Sequence, residues 1–352
     1  MAVIQPAIRR IAICTTTAAV LTICPESSRA AENGISFWLP GQFGSLAAAP
    51  QVPGWALGTV YYHSGIEGSG NVAAARQVQI GQASRTANIN LDLAVSGRAD
   101  LVFMSPTYTF ATPVLGGQFS FGVSGAFGQT PTNLAGTLTT SIGPLSVTRS
   151  GILNDRTVSV ADLYPMATLR WHDGVNNYMV YGTGDIPVGS YDSTRLSNIG
   201  MGHGAIDFGG GYTYLNPETG IEFSGVAGFT YNFKNPSTQY QNGVDFHFDW
   251  GASHFFTKQL FAGFVGYAYQ QISDDTGGNP QFGGFRSRVM GVGPQIGYLF
   301  PVGDMQGYVN LKGYGEFDAA NRASGWNVWL TFAISPAAPT STVTPTKHLV
   351  SK

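Results

Sequence analysis

From Trp55 onward, apolar and polar positions alternate in stretches of about ten residues, separated by clusters of Gly, Pro, Asn and Asp. Period-two alternation places successive side chains on opposite faces of an extended chain, so each stretch predicts a strand with one apolar and one polar face. In 117–127, Phe119, Phe121, Val123 and Phe127 oppose Gln118, Ser120, Gly122 and Ser124. In 244–255, Phe246, Phe248 and Trp250 oppose Asp245, His247 and Asp249, and in 325–335, Trp326, Val328, Leu330 and Phe332 oppose Asn327 and Thr331. Twelve such segments are predicted, at 55–63, 99–110, 117–127, 162–171, 177–186, 205–215, 221–233, 244–255, 260–271, 285–300, 305–318 and 325–335. Residues 87–95 alternate as well.

Composition says which solvent the apolar faces meet. Charged residues make up 11% of the chain and 47 of its 352 residues are glycine, against roughly 25% and 7% in soluble domains. So few charges suit a transmembrane β-barrel, with a lipid-facing apolar surface and a lumen lined by uncharged polar groups. After residue 24 no apolar run reaches the roughly 18 residues a membrane helix needs. A net charge of −2 with no basic patch argues against nucleic-acid binding.

Arg9 and Arg10 precede an apolar stretch ending at Cys24, and Ser28-Arg29-Ala30 offers a cleavage site. Residues 1–30 are therefore expected to be a signal peptide, removed near Ala30 on export. Both cysteines, Cys14 and Cys24, lie in that segment, so the remaining 322 residues (352 minus 30) contain none. Residues 31–54 form an N-terminal segment, periplasmic or inserted in the lumen, 55–335 the barrel and 336–352 a Pro/Thr-rich tail.

Connection lengths choose the strand count. With twelve strands, 111–116, 172–176, 216–220, 256–259 and 301–304 are short, and they alternate with longer connections at 64–98, 128–161, 187–204, 234–243 and 272–284. Barrels of this type pair short periplasmic turns with longer outer loops and carry even strand numbers. The rule leaves 87–95 in the first outer excursion, as a hairpin or an inward-folded constriction. A fourteen-strand alternative would recruit 132–150. Twelve strands enclose a lumen wider than side chains of an eight-stranded barrel fill. Residues 32–53, with Ile35, Phe37, Trp38, Leu39 and Phe43, or the connections 64–98 and 128–161, are the candidates to occupy it.

Several motifs in order carry a family resemblance: Leu163-Tyr164-Pro165, Leu169-Arg170-Trp171, Thr183-Gly184-Asp185-Ile186-Pro187-Val188-Gly189 and Gly202-His203-Gly204-Ala205-Ile206-Asp207. Tyr212-Thr213-Tyr214-Leu215-Asn216-Pro217, Phe229-Thr230-Tyr231-Asn232-Phe233, Gly266-Tyr267-Ala268-Tyr269-Gln270-Gln271 and Gly293-Pro294-Gln295-Ile296-Gly297-Tyr298 follow. Over residues 32–336 the chain resembles the outer-membrane transporter family labelled for the meta-pathway of phenol degradation. The resemblance implies a bacterial outer-membrane barrel, surrounded by lipid, for uptake of small hydrophobic or aromatic compounds. The alternatives are a general diffusion porin and an outer-membrane lipid hydrolase.

Charged residues inside such a barrel are the candidate constriction. Asp245, His247 and Asp249 share one strand face, as a charged constriction, a metal site or plain hydrated wall. Arg286 and Arg288 share another, either paired with wall acids such as Asp185, Asp207, Glu222, Glu316 or Asp318, or solvated near a loop. Arg170 and Lys312 are expected to face inward, because a cation on the lipid face near the midplane costs roughly 2–4 kcal/mol. Tyr61, Tyr62, Tyr178, Tyr181, Tyr212, Tyr214, Tyr231, Tyr267 and Tyr269 suit an interfacial girdle or a slide for aromatic solutes. His203 has no serine elbow with it, so no enzyme is expected. The glycines of 291–297 lie on a strand, where glycine relieves crowding rather than forming a dinucleotide loop. No motif calls for a cofactor or a bound metal, and the oligomeric state stays open.

Overall fold

A computed structural model describes residues 36–80, 83–142, 144–277 and 286–338. In chain order the strands are β1 (Gly54–Ile80), β2 (Ala83–Thr109), β3 (Gln118–Ile142), β4 (Leu145–Asp173), β5 (Asn176–Asp185) and β6 (Ala205–Asn216). They continue as β7 (Ile221–Asn232), β8 (Asp245–Phe255), β9 (Leu260–Gln271), β10 (Arg288–Val302), β11 (Met305–Ala320) and β12 (Ser324–Pro336). Each pairs antiparallel with its sequence neighbours, and β1 closes on β12 in a register that sets Tyr61 opposite Leu330. Closure leaves no unpaired edge within the ring, which an apolar bilayer demands because it offers the backbone no hydrogen bonds.

The alternation decides which face goes where. On β7, Ile221, Phe223, Phe229 and Tyr231 are exposed on the outside, while Glu222, Ser224, Val226, Thr230 and Asn232 are buried inside. Leu57, Met104, Phe208, Phe264, Ile296 and Leu330 extend the same outward apolar surface around the barrel. The tyrosines divide between the faces: Tyr61, Tyr178 and Tyr231 are exposed outside, whereas Tyr181, Tyr267 and Tyr269 are buried inside.

One end of the barrel, the turn end, carries Gly54, Pro336 and the short connections. The opposite, loop end departs from the sequence reading. The stretches 64–98 and 128–161 are not loops, because β1 and β2 stay paired as far as Ile80 opposite Ala83, and β3 and β4 as far as Ile142 opposite Leu145. Residues 87–95 are the upper part of β2, paired with β1 on one side and β3 on the other. They form neither a separate hairpin nor an infolded constriction. Residues 132–150 likewise extend β3 and β4, so the count is twelve rather than fourteen. Beyond Glu67, the last β1 residue paired with β12, residues 68–80 rise roughly 40 Å at about 3.3 Å per residue. The four long strands thus stand above the ring as a sheet.

A β-bulge marks where β4 leaves the ring. Gly125 pairs with Leu163 and Phe127 with Val160, so Ala161 and Asp162 together face the single residue Ala126. The bulge tucks in the Asp162 side chain, which accepts hydrogen bonds from the Gly189 and Met201 amides at 2.6 Å each. The β5–β6 connection is thereby folded back onto the barrel mouth. Residues 1–35, the expected signal peptide among them, and most of the C-terminal tail lie outside the described residues.

Candidate functional site

The inward positions of the strands converge on one occupant. Residues 36–53, immediately before β1, lie among lumen-facing side chains of strands from β2 round to β11. At the turn end, the Gln51 amide side-chain oxygen accepts from Thr109 and Ser120, and the Gln51 backbone N–H donates to Gln118. Higher up, Ala48 N–H donates to Thr213 Oγ1 (3.0 Å), Leu46 N–H to Glu222 (2.9 Å), and Ser45 meets Ser253 (3.2 Å) and Gln295 (2.6 Å). The stretch from Ser253 up to His247 on β8 measures about 20 Å at strand rise, and the segment climbs along it to Trp38.

At mid-height a charge pair grips the segment backbone from two walls. Asp249 on β8 accepts the Gly41 and Phe43 amides at 3.0 and 3.2 Å. Lys312 on β11 donates to the Gly41, Gln42 and Phe43 carbonyls at 2.7, 3.3 and 3.2 Å, with its ammonium 5.3 Å from the Trp329 ring centroid. Tyr314 adds a bond to Gly41 O at 3.3 Å. Gly41 adopts φ +89°, and a Cβ there would stand 2.9 Å from the Tyr314 ring. Glycine meets both demands, a left-handed backbone and a close approach to the wall.

Trp38 caps the segment. Its indole stacks on the His247 imidazole with centroids 3.7 Å apart and planes 12° from parallel, and Phe43 and Tyr181 close around it. His247 Nε2 is 2.9 Å from Asp207, which also accepts from Thr230 at 2.5 Å. Trp38, Ala48, Met179, Tyr181 and Val226 make one buried apolar cluster, and Val265, Tyr267, Tyr269, Val289, Tyr314 and Trp329 make a second on the other wall. The lumen is therefore aromatic and aliphatic in two patches, with polar groups between them.

The structure distributes the sequence candidates unevenly. Asp207, Glu222, Asp245, His247, Asp249, Arg170, Lys312 and Asp185 are all buried. Glu222 and Asp249 bind the segment directly. Arg170 reaches it through Gln51 (3.3 Å) and also bonds Thr168. Asp245 is spent on Asn232 (2.9 Å) at the loop end, so Asp245, His247 and Asp249 have separate partners despite sharing a face. Glu316 accepts from Tyr267 (2.8 Å) and the Gly325 amide (2.7 Å). Asp185, buried at the end of β5, has no hydrogen-bond partner among the described residues. Arg286 and Arg288 do not line a constriction and follow the other reading, solvated near a loop. They are exposed, share the outward parity of Met290 and Val292, and pair with Asp274 (2.7 Å) and Asp318 (2.9 Å) at the rim, not across the lumen. Neutral wall groups missed by the search for charges, among them Ser120, Thr213, Ser253, Gln295 and Tyr314, hold the segment as much as the charges do. Their signal was parity with Asp249 and Lys312 on the inward face.

His203 is buried at the mouth, with Nδ1 3.0 Å from Gly204 O and Nε2 3.4 Å from the Asn242 amide. The loop that carries it is fastened to β4 above the ring. Arg195 meets Asp155 at 2.6 Å, and the Ser197 amide donates to the same carboxylate at 3.0 Å. The Arg195 guanidinium, aided by the Ser197 and Arg156 amides, holds Asp155 down at about 2. A carboxyl depressed in the folded state contributes stability above its ordinary value of 3.8, and that contribution is lost as pH falls through about 2. The loop should therefore stay docked at pH 5 and loosen between about pH 4 and 2. Asp155→Asn should loosen it at neutral pH, read as faster hydrogen exchange at the Ser197 amide. An unchanged exchange rate would remove the ion pair from the account.

Comparison with known proteins agrees with this architecture. The model of the family described as "Putative MetA-pathway of phenol degradation" matches residues 83–332. The chain belongs to this family. Among solved structures, it is similar to the COG4313 outer membrane channel from Pseudomonas putida F1, with a TM-score of 0.58 and 13% identity over 82% of this chain and 97% of that one. A Pseudomonas aeruginosa FadL homologue aligns with a TM-score of 0.37 and 9% identity, covering 80% of this chain and 89% of that one. At 13% identity the likeness to the channel concerns the fold alone, that of an outer-membrane barrel. No curated protein sequence matches the chain.

Proposed function

We propose that this family member is an outer-membrane channel that admits small hydrophobic or aromatic compounds to the periplasm by diffusion through the lumen, with residues 36–53 as its closing element. The observation that carries the reading is the lumen itself: a segment held by hydrogen bonds rather than by strand pairing packs Trp38 and Ala48 into one apolar patch with Met179, Tyr181 and Val226, and a second aromatic and aliphatic patch lines β9–β12. Side chains such as Tyr267, Tyr314, Trp329 and Tyr181 give an uncharged ring apolar surface, while the polar groups between them fix the segment's position. A segment outside the sheet can shift without breaking barrel closure, so opening needs no strand to separate.

Sidedness follows from the chain ends and the short turns, which share one end of the barrel and suit the periplasmic face. The segment then enters the lumen from the periplasm, after removal of a signal peptide near Ala30. The loop end, with its tall four-stranded sheet, faces outward. Proteoliposomes carrying the protein should take up an uncharged aromatic such as benzyl alcohol faster than a sugar of similar mass. Equal rates for the two solutes would support a general porin and reject hydrophobic selectivity.

A further inference from the structure

Side-chain polarity inverts where β2, β3 and β4 rise above the ring. Within the ring, β3 turns Phe121 and Phe127 outward and Ser120 and Thr130 inward. Higher on the same strands the inward parity becomes apolar: Leu91, Leu93 and Val95 on β2 pair across to Leu138, Gly136 and Leu134 on β3, and these to Arg149, Gly151 and Leu153 on β4. The outward parity becomes mainly polar, with Thr137 bonded to Ser150 (3.0 Å), Thr139 to Thr148 (3.3 Å) and Asn133 to Ser96 (3.5 Å) around the single apolar row Ala94, Ala135 and Ile152. A sheet that merely kept clear of lipid would be polar on both faces. This one keeps a greasy face on the side continuous with the lumen wall.

That face is not flat. Gly136 and Gly151 stand opposite each other in register, and the missing side chains leave a shallow, open hollow of about 450 Å³ bordered by Leu91, Leu93, Leu134, Leu138, Ile152 and Leu153, with Arg149 at the rim. A Cβ at Gly151 would meet nothing within 4 Å. The β5–β6 loop covers the inner face only up to Thr130, Asp155 and Thr157, where Ser197 and Arg195 bind, and no other described loop covers the leucines above it. Small-ligand pockets span about 300–1,000 Å³, whereas a protein partner needs a far broader surface. A guanidinium at the rim also favours the face of an aromatic ring.

We propose that this hollow is a binding site for an uncharged aromatic or alicyclic molecule, collecting it from the aqueous side and delivering it toward the lumen. The site rests on the channel reading above for its purpose, though not for its existence. The test uses the full-length protein in lipid nanodiscs and an apolar aryl diazirine as photolabel, with adducts mapped by mass spectrometry. Labelling of residues 134–153 should saturate and be competed by naphthalene, while lipid-facing strands label without saturation. Gly151→Trp, which fills the hollow, and Leu138→Asn with Leu153→Asn should each reduce the saturable labelling at least about tenfold, the scale on which an apolar pocket discriminates. Heat-modifiable migration checks that each variant remains a folded barrel.

Labelling of 134–153 that does not saturate, or that survives both variants, would overturn the site. So would a stable dimer by native mass spectrometry in which this face is protected, since its occupant would then be a second copy. If labelling fails while proteoliposomes still admit aromatics, only this proposal falls. Saturable labelling in a protein that passes no aromatics would keep the site and reject the channel reading.

Discussion

Replacing Asp249 with Ala is expected to raise aromatic-solute permeation about 10- to 150-fold, without loss of the folded barrel. Asp249 accepts two backbone amides of the lumen segment, at 3.0 and 3.2 Å. A hydrogen bond to a charged group contributes about 1.5–3 kcal/mol, which for one net bond shifts a closed-to-open ratio by that factor. Lys312→Met attacks the same stretch of backbone from the opposite wall, where the ammonium holds three carbonyls. Removing one member leaves the other buried charge less well compensated, so the two substitutions should not be additive. Planar-bilayer recordings check this: Asp249→Ala should lengthen open dwell times, and unchanged conductance together with unchanged uptake would mean the segment does not close the path.

Gly291→Leu should abolish assembly of the folded barrel, seen as loss of the heat-modifiable band. Gly291 sits on the inward face of β10, where a Cβ would stand 2.3 Å from the Tyr267 ring. That ring cannot step aside cheaply, because its hydroxyl donates to Glu316 (2.8 Å) and accepts from Asn327 (3.0 Å), and Tyr314 packs against it. Overpacking a settled core typically costs 1–3 kcal/mol and more when the neighbour is pinned. Gly315, on the next strand, has nothing within 4 Å of its Cβ position, so Gly315→Leu is the matched control and should assemble. Equal yields for both would show that the lumen wall is looser than these contacts imply.

The parts of this barrel legible in the sequence were those governed by two opposed solvents. Wherever one strand face met lipid and the other the lumen, as in β8 and β12, alternation placed each residue on its observed side. The tall extensions of β1–β4 were hidden for the same reason. Above the ring no face meets lipid and the contrast turns over, apolar inward and polar outward, while in residues 132–150 threonine, serine and glycine blur it. Connection length then misled, since a long hairpin and a long loop occupy the same number of residues. Arg286 and Arg288 were left between two readings by attention to charge alone. Their parity with Met290, Val292 and Ile296 already pointed outward. The lumen segment was legible only as amphipathic, because its partners are backbone amides and carbonyls, whose pairing no side-chain pattern announces.

The central claim is that residues 36–53 must move for solute to pass. Ser45 and Ser253 stand with hydroxyls 3.2 Å apart, one on the segment and one on β8, and no cysteine follows Cys24. A Ser45→Cys, Ser253→Cys double variant can therefore be locked by oxidation and released by reduction, with permeation of an aromatic solute measured in the same proteoliposomes. The account predicts that oxidation stops permeation and that reduction restores the unlocked rate. Equal permeation in the two states would contradict it.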